Sequence, residues 1–250
     1  MNDYALELQG LSKRFGGLLA VDGVTAEVPV GRRLAIIGPN GAGKTTLFHL
    51  ISGELPLTHG SIRLLGQDVT RTPAQRRVAL GLRRTYQITN LFPALSIEQN
   101  VLLAVYGLRA DRWHPLRLVP RRGQLLERVR QALEQVGLTR AAGVSARALS
   151  HGEQRQLELA LALVWQPKVL LLDEPAAGLS TAERGLIGHI IRGLPPELTL
   201  VLIEHDMDLA LSLAEYVLCL HNGRVIAAGD PGEIRRNQVV QDVYLGSPAA

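Results

Sequence analysis

Residues Gly38-Pro39-Asn40-Gly41-Ala42-Gly43-Lys44-Thr45 follow directly on the apolar run Arg33 to Ile37, and Thr46 continues into a helical pattern. Strand, glycine-rich loop and Lys-Thr helix start, in that order, specify a phosphate-binding loop within an α/β chain. Gly38, Gly41 and Gly43 permit backbone turns that a side chain forbids. Successive N–H groups then face inward and, with the helix N-terminus, form an anion cradle. Lys44 is placed to reach the β- and γ-phosphates of a nucleotide, and the Thr45 hydroxyl to ligate Mg²⁺. The full spacing and the flanking strand and helix set this segment apart from a plain glycine turn.

Two further segments lie where such a loop needs them. Val169 to Leu172 has the unbroken apolar character of a central parallel strand buried on both faces. Asp173 and Glu174 emerge at its carboxyl end, where open α/β sheets bind ligands. Asp173 suits Mg²⁺ held through its water shell, and Glu174 suits polarisation of an attacking water. An acidic pair after a strand is often only a solvated strand end, and it gains weight from the phosphate loop. In Leu149-Ser150-His151-Gly152-Glu153-Gln154, Ser150 is spaced to cap a helix and Glu153 to close the capping box. Leu157, Ala160, Leu161 and Val164 continue it with helical period. An ordinary capped helix and a phosphate site built from Ser150, Gly152 and the helix N-terminus use the same atoms.

The segment Leu149 to Gln154 resembles the signature of the ATP-binding cassette (ABC) ATPases, and the phosphate loop and acid pair resemble their two Walker motifs. The resemblance runs from about residue 4 to about residue 246. It implies a P-loop NTPase fold with a RecA-like parallel sheet, an antiparallel β portion near the N-terminus and an inserted helical subdomain. It implies ATP and Mg²⁺ as ligands. It assigns nucleotide contacts to Phe15, Gly38, Pro39, Asn40, Gly41, Ala42, Gly43, Lys44, Thr45, Thr46, Ser150, Gly152 and Gln154. The metal falls to Thr45, Gln87 and Asp173, and catalysis to Glu174, His205, Gln87 and Lys44. His205 follows the apolar strand Thr199 to Ile203 and corresponds to the family histidine beside the γ-phosphate. Gln87 looks like the glutamine that reports γ-phosphate and Mg²⁺ to a membrane partner, and Phe15 like the aromatic that stacks on adenine. In the family two such chains pack head to tail, with each ATP between the phosphate loop of one and the signature of the other.

Alternation of short apolar strands with amphipathic helices indicates a parallel α/β sheet. We expect one ATPase domain over 1–250, with a core near 1–86 and 165–250 and a helical subdomain near 87–164. Helical patterns within that insert run Ser96 to Tyr106, Gly123 to Val136 and Gly152 to Val164. No apolar run approaches the ~18 residues of a membrane span, and Asp3, Glu7 and Gln9 break any secretory signal. Cys219 is the sole cysteine and sits in an apolar run, so it reads as a core residue. Net charge is +4, with arginine clusters at Arg71 to Arg84 and Arg109 to Arg130. Those clusters suit a solvated face, contact with membrane-protein loops or anionic headgroups, or a nucleic acid. Aromatics make up 4% of the chain and do not interleave the basic clusters, so no nucleic-acid partner is expected.

Finer resemblance points to the ATPase subunits of branched-chain amino-acid importers. It is carried by Phe15 to Val21, Arg84 to Gln87, Asn90 to Val101, Pro175 to Ser180, His205 to Met207 and Val243 to Gly246. The stretch Tyr106 to Arg122 also resembles an insert in one of the two paralogous ATPases of those importers. The resemblance implies transmembrane permease subunits, a second ABC ATPase (an identical or a paralogous copy) and, indirectly, a periplasmic binding protein. The chain would then sit peripherally on the cytoplasmic face of the inner membrane. An ATPase of lipopolysaccharide export or of a urea or amide transporter is the alternative, and a soluble ABC protein acting on nucleic acid a third. Ser180 departs from the Asp or Asn common at its position, and His151 from the usual Gly or Tyr. Trp113 and His114 match nothing interpretable beyond local packing.

Overall fold

The computed structural model describes residues 3–85, 91–107 and 122–245. In chain order the elements begin with β1 (Tyr4–Phe15), β2 (Leu18–Pro29), β3 (Arg33–Ile37) and α1 (Lys44–Ser52). They continue with β4 (His59–Leu64), β5 (Gln67–Asp68), α2 (Ala74–Ala79), β6 (Leu82–Arg84), α3 (Ile97–Gly107), α4 (Arg122–Gln135) and α5 (His151–Leu163). Then come β7 (Val169–Asp173), α6 (Thr181–Arg192), β8 (Thr199–Ile203), α7 (Met207–Leu213), β9 (Tyr216–His221), β10 (Arg224–Gly229), α8 (Pro231–Arg236) and α9 (Gln238–Leu245). The chain divides into two compact units. One comprises Met1–Arg84, Lys168–Glu174 and Pro195–Ala250, the other Thr85–Pro167 and Pro175–Leu194.

The first unit holds two sheets. An antiparallel sheet runs β2-β1-β4-β5, and a six-stranded sheet runs β10-β9-β3-β8-β7-β6. In the larger sheet β3 lies between β8 and β9, parallel to both, and β7 pairs in parallel with β8 and β6. Every residue of β7 and of β8 is buried. Burial on both faces explains why these strands read as continuous apolar runs rather than alternating ones. Leu47, Phe48, Leu50 and Ile51 of α1 join Ile36, Leu171, Val201 and Leu218 in one buried cluster. That packing seats α1 against the sheet, so the loop from β3 to α1 opens at the strands' carboxyl ends, the ligand side of such sheets. Cys219 is fully buried in β9.

The arginines between Arg71 and Arg84 do not form a uniformly solvated face. Arg77 is only 2% exposed and donates to the carbonyls of Leu50, Ile51, Val69 and Thr72. The last carbonyls of α1 have no partners within the helix, and a buried guanidinium supplies them. The Arg84 side chain is also buried.

The second unit is helical. Leu125, Val129, Ala132, Leu133 and Val136 are buried at the spacing of one helix face along and just beyond α4, with Val101 and Val105 of α3 also buried. The Trp165 indole N–H donates to the Ala104 carbonyl at 3.2 Å. Gln87 and the stretch 108–121, with Trp113 and His114, lie outside the described residues. No helix among the described residues is long and apolar enough to cross a membrane.

Candidate nucleotide site

The loop from β3 to α1 carries Gly38 at φ +147°, Gly41 at +78° and Gly43 at +101°. These are conformations that L side chains rarely adopt. A Cβ at Gly38 would also run into the Leu220 carbonyl, and one at Gly43 into that of Ala20. Helix α1 is capped by Gly43, with no side-chain cap bond and no acid in its first turn. Its leading N–H groups are therefore left for an anion. The Lys44 ammonium folds over the loop and donates to the carbonyls of Gly38 at 2.7 Å and Pro39 at 2.9 Å. Burial lowers its pKa, opposed by the charges of Glu174 and Asp173. The Gly38 N–H is not left open. It donates to the Tyr244 hydroxyl of α9 at 2.6 Å, and burial pushes that phenol up to about 12.

A cleft of about 570 Å³ opens over this loop. Its walls include Phe15, Asn40, Gly41, Ala42, Gly43, Lys44, Thr45, Thr46, Glu174 and His205, with Leu18, Ala20, Asn222 and Gly223. Phe15 is 44% exposed, and the Lys13 ammonium stands 5.1 Å from its ring centroid. Glu174 and His205 meet because β7 and β8 run in parallel register, Asp173 beside Ile203, and each turns outward just past that pair. The His205 Nε2 lies 2.5 Å from the Glu174 Oε1. Glu174 takes a left-handed backbone at φ +48° while its N–H donates to the Ile203 carbonyl at 3.0 Å. A non-glycine residue held there stores strain, and such positions cluster at functional sites.

The neighbouring acid behaves differently. Asp173 does not line the cleft, and its side chain is 1% exposed. The Arg84 guanidinium donates to its Oδ2 at 2.6 Å and to the Glu54 Oε2 at 3.0 Å. Nothing in the local sequence marks Arg84 for this role, since it reads only as one of a basic cluster.

In the helical unit Ser150 caps α5. Its hydroxyl accepts from the Glu153 N–H while the Glu153 carboxylate accepts from the Ser150 N–H. The Gln154 amide donates to the Leu149 carbonyl at 3.2 Å. Ser180 caps α6 in the same way with Glu183. The Glu183 carboxylate also accepts the Gly152 N–H at 3.1 Å, a link the sequence reading missed because it spans two separate helix starts. His151 packs its ring near Gly178, where a Cβ would come within 3.0 Å of Cε1.

Comparison with known proteins adds to this geometry. A family model described as ABC transporter matches residues 21–177, and one described as branched-chain amino acid ATP-binding cassette transporter matches residues 224–250. The chain is 40% identical to the high-affinity branched-chain amino acid transport ATP-binding protein BraF of Pseudomonas aeruginosa, covering 96% of this chain and 97% of that one. It is 38% identical to the corresponding protein LivG of Escherichia coli, covering 98% and 99%. Among solved structures, the ADP conformation of an ATP-binding cassette of an ABC transporter matches with a TM-score of 0.85 at 26% identity, covering 98% of this chain and 99% of that one. A nucleotide-free cassette matches with a TM-score of 0.84 at 27% identity, covering 98% and 100%. With the ABC transporter model matched over most of its length and near full-length relatives 38–40% identical, on a fold shared with these cassettes, the chain belongs to the ATP-binding cassette family of ABC transporters.

Proposed function

We propose that this ABC ATPase energises a membrane importer of branched-chain or related amino acids, acting as one ATPase domain in a pair with an identical or paralogous cassette. ATP is the substrate. The reading of the hydrolytic site rests on one observation above the others, the Glu174–His205 pair at 2.5 Å on the wall of the phosphate-loop cleft. In this reading Glu174 takes the proton of the attacking water, and His205 orients Glu174 and donates toward the γ-phosphate. Lys44 stabilises charge on the β- and γ-phosphates. Ser150 and the Gly152 N–H of the opposing copy complete the phosphate shell, with Gln154 beside them. Phe15 supports the adenine, and Gln87 carries the state of the site to the permease.

The donors suit Mg²⁺. The Thr45 hydroxyl and Asp173 carboxylate are hard oxygen ligands, and no group of three or more His, Cys, Asp or Glu among the described residues forms a cage of its own. Mg²⁺ is characteristically bound by one or two protein oxygens plus phosphate and water. Bound there, it would neutralise phosphate charge during transfer.

The transport reading is supported by near full-length similarity to BraF and LivG and by the match at the C-terminus. It places the chain peripherally on the cytoplasmic face of the inner membrane, with two permease subunits and, on the far side, a binding protein. The test is affinity capture of the tagged chain from native membranes, with mass spectrometry of what co-purifies. Two polytopic permeases and a second short ATPase are the expected result. Recovery of envelope-export subunits, or of ribosomal or DNA-associated proteins alone, overturns the importer.

A further inference from the structure

Resting on the assignment of Asp173 to the Mg²⁺ shell, we infer that Arg84 is a positioning residue that sets how tightly the site takes its metal, and that Glu54 tunes Arg84. The observation is a short polar chain inside the first unit. The Arg84 side chain is 5% exposed and bridges Asp173 and Glu54. Its guanidinium carbon lies 5.7 Å from the centroid of Phe48, which limits where the group can swing. The His49 Nε2 stands 3.6 Å from the same Glu54 oxygen. Burial and Arg84 hold the His49 pKa down, against the pull of Glu54 and Asp173. His49 is therefore a weak rival for Glu54 near neutral pH.

A buried cation at 2.6 Å from a metal-shell carboxylate opposes a divalent ion by like charge and shares the same acceptor. Glu54 draws the guanidinium the other way and weakens its hold on Asp173. The two neighbours therefore act on the metal with opposite sign.

The test is a titration of the full chain, saturated with ADP, with Mn²⁺ followed by its electron paramagnetic resonance signal, a readout independent of turnover. Arg84→Met keeps the stem and removes the charge, and metal affinity should rise roughly three- to tenfold. Glu54→Gln leaves Arg84 to Asp173 alone, and affinity should fall roughly two- to fivefold. A rise in Arg84→Met together with a fall in Glu54→Gln supports the inference. Any other pair of results overturns it. If Arg84→Met does not fold, Glu54→Gln alone decides, because Glu54 is partly exposed. Asp173→Asn in the same titration separates the layers. Weaker metal binding there with no effect at Arg84 or Glu54 rejects only this inference. Unaltered binding in Asp173→Asn rejects the assignment of Asp173 and the inference with it.

Discussion

Helices α1 and α5 both begin at places where a phosphate is expected, yet they are finished in opposite ways. At α1 the cap is Gly43, with no side-chain bond and no first-turn acid. At α5 the Ser150 hydroxyl takes one N–H, the Glu153 carboxylate returns to Ser150, and the Glu183 carboxylate takes the Gly152 N–H. Orphan N–H groups at a helix start must find acceptors. The first helix leaves that to a ligand, and the second supplies its own. The difference fits a division of labour in which the phosphate loop binds nucleotide by itself and the signature engages only when a second copy brings a phosphate strong enough to compete.

The largest expected effect lies on the open side. Glu174→Gln should keep ATP affinity within about threefold and reduce turnover about 10²- to 10⁴-fold, the usual worth of a general base. The variant should also accumulate as a closed dimer with ATP and Mg²⁺, seen by size-exclusion chromatography with light scattering. Undiminished turnover, or wild-type elution, removes Glu174 from the proposed role. On the closed side, Ser150→Arg should cut turnover at least about 10²-fold, as loss of a transition-state donor does. ATP affinity of the isolated chain should be unchanged, because the phosphate loop is elsewhere in the sequence and already complete. Equal damage to binding and turnover would mean that the two helix starts do not divide the work as described.

Legibility in the sequence followed the range of the interaction. The phosphate loop, the strands β7 and β8 and the Ser150–Glu153 box are set by residues within a few positions of one another, and their spacing identifies them. Arg84 and Asp173 are 89 residues apart, Gly152 and Glu183 are 31, and Tyr244 and Gly38 are 206. Those contacts follow from which strands and helices lie side by side, which periodicity does not encode. The arginine run at Arg71 to Arg84 shows the same limit. Composition marks it as basic, but only the buried carbonyls at the end of α1 explain why Arg77 is buried. The left-handed backbone of Glu174 is likewise invisible in a sequence where no glycine stands.

The open cradle is braced from outside, and this sharpens the comparison. Tyr244 accepts the Gly38 N–H, a bond worth about 1 kcal/mol. Tyr244→Phe keeps the ring and removes the acceptor. The thermal midpoint should fall by about 2–4 °C, as expected for a chain of this size. ATP should bind up to about fivefold more weakly if loop geometry depends on the brace. Calorimetry on one preparation gives both quantities, and no change in either shows that the loop holds itself.

The smallest effect bears most directly on the closed helix. Hydrogen bonds from Ser180 hold the Glu183 carboxyl below its ordinary range, so the group is charged where a γ-phosphate of a second copy would arrive. Glu183→Gln removes the charge and keeps one acceptor oxygen, so that of the Ser180 and Gly152 N–H groups, which bond separate carboxylate oxygens, one is released. The side chain is partly exposed, so its electrostatic weight is modest. The ATP concentration needed for half-maximal dimerisation of a Glu174→Gln background should therefore fall by about two- to threefold, and more at low salt than at high salt. A shift of the opposite sign would make Glu183 a support for the incoming phosphate site rather than its competitor. In that case α5 would be a helix start prepared for its ligand, and the contrast with α1 would be one of construction only.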